Sequence, residues 1–132
     1  MRLAIIVASL TIAATPASSD PLADRERSVV IVVVSAMMLQ TQCPGLKMVD
    51  GGPVIFADKN GVDFTKIGGA ILNAILVGTN KAYDRGKLIP EVTLQVSATA
   101  REILNDLKVD QANTCDKFAE RLVPLGLLQR TQ

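Results

Sequence analysis

The chain has 132 residues, with 14 Lys and Arg against 13 Asp and Glu, three Phe, one Tyr, and neither Trp nor His. A net charge near zero provides no electrostatic case for nucleic acid, an anionic membrane or a strongly charged substrate, and so few aromatic residues argue against base stacking. The lack of His removes the commonest general base and metal ligand, and it excludes a Ser-His-Asp or Cys-His nucleophile. The sequence therefore predicts no catalytic residue, no cofactor and no metal ligand.

Residues 1–19 have the pattern of a secretory signal peptide. Arg2 provides a positive charge, residues 3–14 are apolar, and residues 15–19 are small enough for a signal peptidase, which we expect to cut after Ala17 or Ser19. The apolar run is too short to span a bilayer as a helix. We therefore expect a single helical domain, residues 20–132, in the periplasm or secreted, with no transmembrane segment after cleavage.

Two cysteines lie in the predicted mature domain. In an exported protein, Cys43 and Cys115 are expected to form a disulfide, although two free thiols are the alternative. Closing a loop of about 72 residues stabilises a fold by about 4–5 kcal/mol in the chain-entropy model. No C-x-x-C spacing is present, so a redox-active pair is disfavoured.

The first predicted helix begins at Asp20-Pro21, with Asp20 as the N-cap, and ends at Gln42, before Cys43-Pro44-Gly45. The apolar run at residues 29–34 has strand propensity. Some twenty residues without Gly or Pro are too many for an ordinary strand, so the length favours a helix that is buried on several sides.

The stretch from residue 46 to residue 63 is the irregular part of the sequence. Residues 54–57 and 62–64 flank Asn60-Gly61, a pattern typical of a short β-hairpin. An ordered loop that packs Ile55 and Phe56 against the helices is an equal alternative.

The second long helix is predicted from Phe64 or Thr65 to Tyr83, closed by Gly86, and is expected to be the central helix of the fold. Tyr83, beside an Asp and an Arg, either closes this helix or forms the polar corner of a pocket. Small residues on the helix, which would let another backbone approach closely, are Gly68, Gly69, Ala70 and Ala74.

Two further helices complete the predicted bundle. Pro90 opens one of them, and an apolar stripe at helical spacing continues to Leu107. Asp110 is expected to cap the last helix, residues 111–122, after which Leu127-Leu128 fold back. The predicted fold is all-α: a single compact bundle of about four helices joined by one inter-helix disulfide.

Residues 58–64 resemble part of a calcium-binding loop, but the spacing fails. Depending on the frame, the twelfth position is Ile67 or Gly69, and neither supplies the bidentate Glu that the geometry requires. An Asn-Gly turn is the favoured interpretation.

Three carboxylates, Glu102, Asp106 and Asp110, follow one another at i, i+4 spacing. They form either a metal-binding or proton-sensing row, or a solvated face balanced by Arg101 and Lys108. The solvated face is favoured.

The segment Cys43-Pro44-Gly45-Leu46-Lys47, with Cys115 in a late helix and a leader in front, resembles small uncharacterised exported bacterial helical proteins with two cysteines. This resemblance implies a periplasmic location and no activity. In outline the chain is also similar to periplasmic acid-stress chaperones of the HdeA type, although its cysteines lie farther apart.

These observations predict an exported, non-enzymatic helical protein that binds a partner protein or a small apolar ligand, and no nucleic acid. The first alternative is a periplasmic stress holdase that exposes its apolar faces in acid. The second is an enzyme that works through carboxylates alone. Apolar residues of the first helix, such as Val30 and Val33, are expected to form the core and not a ligand site.

Overall fold

The computed structural model describes residues 22–131 of the chain, and within them helices predominate. The predicted signal peptide, residues 1–19, lies outside the described residues. The elements in chain order are α1 (Asp24–Gln42), β1 (Leu46–Met48), α2 (Gly52–Lys59), α3 (Phe64–Gly78), a 3₁₀ turn (Arg85–Lys87), α4 (Pro90–Val109), α5 (Gln111–Leu122) and β2 (Leu128–Arg130). The prediction of a helical bundle is confirmed.

Helix α1 contains the whole valine run, so the choice of helix over strand is confirmed. It begins at Asp24, after the non-helical Leu22 and Ala23, whereas the predicted N-cap, Asp20, lies outside the described residues. The backbone N–H of Ala23 donates to Glu26 Oε1 at 3.3 Å. Helix α1 contacts α2, α3, α4, α5 and β1, so it is the central helix, and the expectation that α3 is central is wrong.

The prediction of a hairpin or loop near residues 54–64 is wrong, because residues 52–59 form helix α2. Gly51 (φ 72°) and Gly61 (φ 69°) bracket it in the left-handed region. The N–H of Gly61 donates to the carbonyl of Asp58 at 3.0 Å, and that of Val62 to Ala57 at 2.9 Å. Asn60-Gly61 therefore ends a helix in a Schellman motif. The same left-handed glycine suits a hairpin turn, which is why the pattern was ambiguous.

Helix α3 ends at Gly78, five residues before the predicted end at Tyr83. Asn80 adopts a left-handed backbone (φ 62°), and the N–H of Lys81 donates to the carbonyl of Leu76 at 2.9 Å. Asn tolerates this conformation better than other residues with a side chain. The helix therefore ends at an Asn and not at the predicted Gly.

The segment after α3, residues 79–89, runs back along that helix. The side chain of Asn73, which is buried, accepts a hydrogen bond from the backbone N–H of Asp84 at 2.7 Å. Gly86, expected to close α3, instead lies in the 3₁₀ turn, where its N–H donates to Asp84 Oδ1 at 2.9 Å.

Helices α4 and α5 match their predictions. Pro90 opens α4, and Asp110 caps α5 by accepting a hydrogen bond from the N–H of Asn113 at 3.1 Å. The buried side of α4 consists of Val92, Val96, Thr99, Ile103 and Leu107.

The C-terminal segment folds back as predicted, but it also forms a strand that the sequence analysis missed. Strand β2 pairs antiparallel with β1, with Lys47 opposite Gln129. The predicted disulfide joins Cys43, at the C-cap of α1, to Cys115 in α5, with a Cα–Cα distance of 5.8 Å. The disulfide joins the C-terminal end of α1 to α5, and the sheet holds the C-terminal end of the described chain against β1.

Candidate binding surface

The acidic residues singled out from the sequence lie on the surface or at a helix cap. Glu102, Asp106 and Asp110 are all exposed, as a solvated face requires. Asp63 caps α3 by accepting a hydrogen bond from the N–H of Thr65 at 3.0 Å. Among residues 22–131, no group of three or more Cys, Asp or Glu side chains is placed to hold a metal ion.

Tyr83 neither closes α3 nor lines a described pocket; it lies in the returning segment and is 40% exposed. The pockets themselves are open depressions. One of about 240 Å³ lies where the N-terminal ends of α1 and α3 meet, and one of about 420 Å³ lies beside Cys115. Such grooves are wider at the mouth than the concave sites that enclose small ligands.

The outward side of α3 is an accessible surface with little charge. Helix α3 carries one charged residue, Lys66, in fifteen. Its core side is buried, whereas the opposite side remains accessible to solvent. We name this accessible side the α3 face; its residues are Thr65, Gly68, Leu72, Ile75, Leu76 and Thr79.

Exposure distinguishes the α3 face from an ordinary buried helix surface. The side chain of Leu72 is 51% exposed, and Ile75 and Leu76 are half-buried. A surface helix normally presents charged and polar side chains to water, as α5 does with Asp116, Lys117, Glu120 and Arg121. The α3 face is therefore an apolar strip on the outside of the folded domain.

The returning segment, residues 79–89, borders the α3 face along one edge. The N–H of Lys81 donates to the backbone carbonyl of Leu76, the N–H of Asp84 donates to the side chain of Asn73, and the side chain of Lys87 lies beside Gly69. A Cβ atom at Gly69 would lie 3.8 Å from Lys87 Cδ. The returning segment is therefore a polar border of the α3 face, and its hydrogen bonds to α3 fix its position.

The two glycines of α3 are placed differently from the prediction. A Cβ at Gly68 would lie 2.8 Å from the ring of Phe64, one turn earlier in the same helix, and the neighbour of Gly69 is the Lys87 side chain. Neither glycine lies against another helix backbone. Ala70 and Ala74 do face the core, where both are buried.

The sequence predicts α3 as the central helix of the fold and does not predict its exposed side. An apolar residue on every side of a helix is consistent both with complete burial and with one exposed contact surface. The missing information was which elements pack on α3, and the sequence pattern does not contain it.

No described helix is long and apolar enough to cross a membrane. Comparison of the chain with protein-family models, with curated proteins and with solved structures finds no match.

Proposed function

We propose that this protein is an exported, non-enzymatic binding module whose contact surface is the α3 face. The observation that carries the proposal is the 51% exposure of Leu72 in the middle of a helix face that has no charged residue. Leaving such a surface in water forfeits the free energy of burying it, at about 25 cal/mol per Å². A contact that covers the α3 face recovers that free energy.

The expected partner was a protein or a small apolar ligand. The described pockets are open grooves with charged or polar residues in their linings, which favours contact across a surface over enclosure of a small molecule. Export is supported by the leader pattern and by the Cys43–Cys115 disulfide, since disulfides persist in oxidising compartments.

The two alternatives gain no specific support. An enzyme working through carboxylates requires two carboxyl groups in one cleft, and Glu26 and Asp63 do line the groove between α1 and α3. Both already accept hydrogen bonds from backbone N–H groups next to the starts of these helices. An acid-activated holdase has no described feature that favours it over the binding module.

Site-specific photocrosslinking in the native host tests the proposal. A photoreactive phenylalanine analogue replaces Leu72 in one strain and Val109, which is 88% exposed at the end of α4, in the other. We expect a covalent adduct, detected as a mass increase of the purified protein, from position 72 and not from position 109. Equal labelling at the two positions, or none at position 72, would contradict the proposal.

The same preparation tests export. The mass of the denatured protein from the envelope fraction should correspond to cleavage after Ala17 or Ser19, with two hydrogens fewer than the reduced chain. An intact N-terminus in that fraction would refute the signal peptide.

A further inference from the structure

The near-neutral total charge conceals an uneven distribution. Residues 22–131 contain 13 of the 14 cationic residues and 12 of the 13 acidic ones. Residues 65–88, which comprise most of α3 and the returning segment, hold four cations and one acid, leaving nine cations and eleven acids for the rest. The positive excess therefore lies in the same part of the chain as the α3 face.

All four of these cations, Lys66, Lys81, Arg85 and Lys87, are exposed. The ion pair found among the described residues joins Arg130 to Asp116, elsewhere in the molecule. Within residues 22–131, none of the four cations is therefore neutralised by an ion pair with a carboxylate.

Three of the cations lie on the returning segment, which is attached along one edge of the α3 face. The backbone of Lys81 bonds to Leu76, and Lys87 contacts Gly69 about two turns earlier. The cations are therefore arranged beside the apolar strip and do not interrupt it. Tyr83, which has an apolar ring and a polar hydroxyl, lies on the same segment and is 40% exposed.

An apolar strip with a cationic margin matches the chemistry of a lipid–water interface. Apolar side chains enter the boundary of the acyl chains, Lys and Arg reach anionic headgroups, and Tyr prefers the boundary itself. Anionic headgroups lie directly beside the acyl boundary of a bilayer, so one bilayer surface can meet the cations and the neighbouring apolar strip at once. The charge and the apolar surface together favour a bilayer.

We propose that the α3 face and residues 79–89 dock peripherally onto a lipid bilayer that contains anionic headgroups. Leu72, Ile75 and Leu76 contact the acyl boundary, while Lys81, Arg85 and Lys87 contact the headgroups. This inference rests on the proposed function, because it assumes that the α3 face is the contact surface and names what covers it.

Vesicle flotation tests the inference. Protein purified from the envelope fraction is mixed with vesicles of phosphatidylcholine alone, or of phosphatidylcholine and phosphatidylglycerol at about 3:1, in about 0.1 M salt. We expect flotation with the anionic vesicles only, and release as salt rises, because screening weakens contacts with anionic headgroups.

Matched substitutions locate the contact. Replacing Lys81 and Arg85 by Gln should weaken binding roughly 30-fold, at about fivefold per cation near an anionic surface. Replacing Arg101 and Lys108, two exposed cations of α4, by Gln removes the same charge from another face and should change binding less than about threefold.

A second pair of variants tests the apolar strip. Leu72→Ser should weaken binding about fivefold, because roughly half of a Leu side chain is no longer transferred to the acyl boundary. Val109→Ser removes an exposed apolar side chain outside the face and should have no effect. Thermal unfolding of each variant checks that the fold is retained.

Equal binding to both vesicle types, or equal losses in the test and control variants, would overturn the lipid proposal. An absence of vesicle binding together with a protein adduct at position 72 would also overturn the lipid proposal, but the α3 face would remain a protein-binding surface. An absence of both would overturn the proposed function as well. The two failures are therefore distinguishable.

Discussion

Gly52, at the start of α2, is predicted to tolerate no larger residue. It is buried, and a Cβ atom there would lie 2.7 Å from the carbonyl oxygen of Gly126 and 3.4 Å from Leu127 Cα. Both neighbours are backbone atoms, and this backbone is held in place because the N–H of Val49 donates to the carbonyl of Leu127 at 2.9 Å. The Gly52→Ala variant therefore has to displace α2 or the segment that leads into β2.

We expect Gly52→Ala to lower the free energy of unfolding by about 1–3 kcal/mol, the usual range for overpacking a well-packed region. For a domain of about 110 residues, each kcal/mol corresponds to a decrease of about 4–8 °C in Tm. Urea unfolding followed by circular dichroism, with the disulfide intact, measures the change directly.

Gly78→Ala is the matched control. Gly78 is also helical, at the end of α3, but no atom lies within 4 Å of a Cβ placed there. The substitution reduces the conformational freedom of the unfolded chain, and it should be neutral or stabilising by up to about 1 kcal/mol. If Gly52→Ala were as stable as the wild type, or if both variants lost stability equally, the close approach of Gly52 to Gly126 could not be the cause.

Three further changes have defined expected outcomes. Asn73→Ala removes the side chain that accepts a hydrogen bond from the N–H of Asp84 at 2.7 Å, so it should lower the free energy of unfolding in urea by about 1–3 kcal/mol and increase amide exchange at Asp84. Unchanged exchange at Asp84 would show that other contacts hold residues 79–89. Asp110→Ala removes the cap of α5 and should lower the free energy of unfolding by about 1 kcal/mol. A variant as stable as the wild type would contradict the capping role. Reducing Cys43–Cys115, which encloses a separation of 72 residues, should lower the free energy of unfolding by about 4–5 kcal/mol, and a reduced protein as stable as the oxidised one would contradict the chain-entropy account.

The start of a helix was predicted correctly where a capping residue or a proline at that position specifies it. Pro90 and Asp110 mark the starts of α4 and α5 correctly, since each acts through its own backbone geometry or side chain. The disulfide was also predictable, because a chain with two cysteines has one possible intramolecular pairing.

The errors arose where one local pattern suits two structures. Asn60-Gly61 ends α2 but was interpreted as a hairpin turn, and both uses require the same left-handed backbone. Strands β1 and β2 have three residues each and lie about 80 positions apart in the chain. Their pairing depends on the return of the C-terminal segment, which no local pattern specifies.

The α3 face likewise depends partly on the local sequence and partly on the packing of distant segments. The apolar character of α3 and the possible pairing of Cys43 with Cys115 can be predicted from the residues alone, because composition and spacing are properties of the chain. The central position of α1 and the exposure of one side of α3 depend on how the helices pack. Burial depends on which elements pack together, and each helix is covered by residues that are distant from it in the sequence.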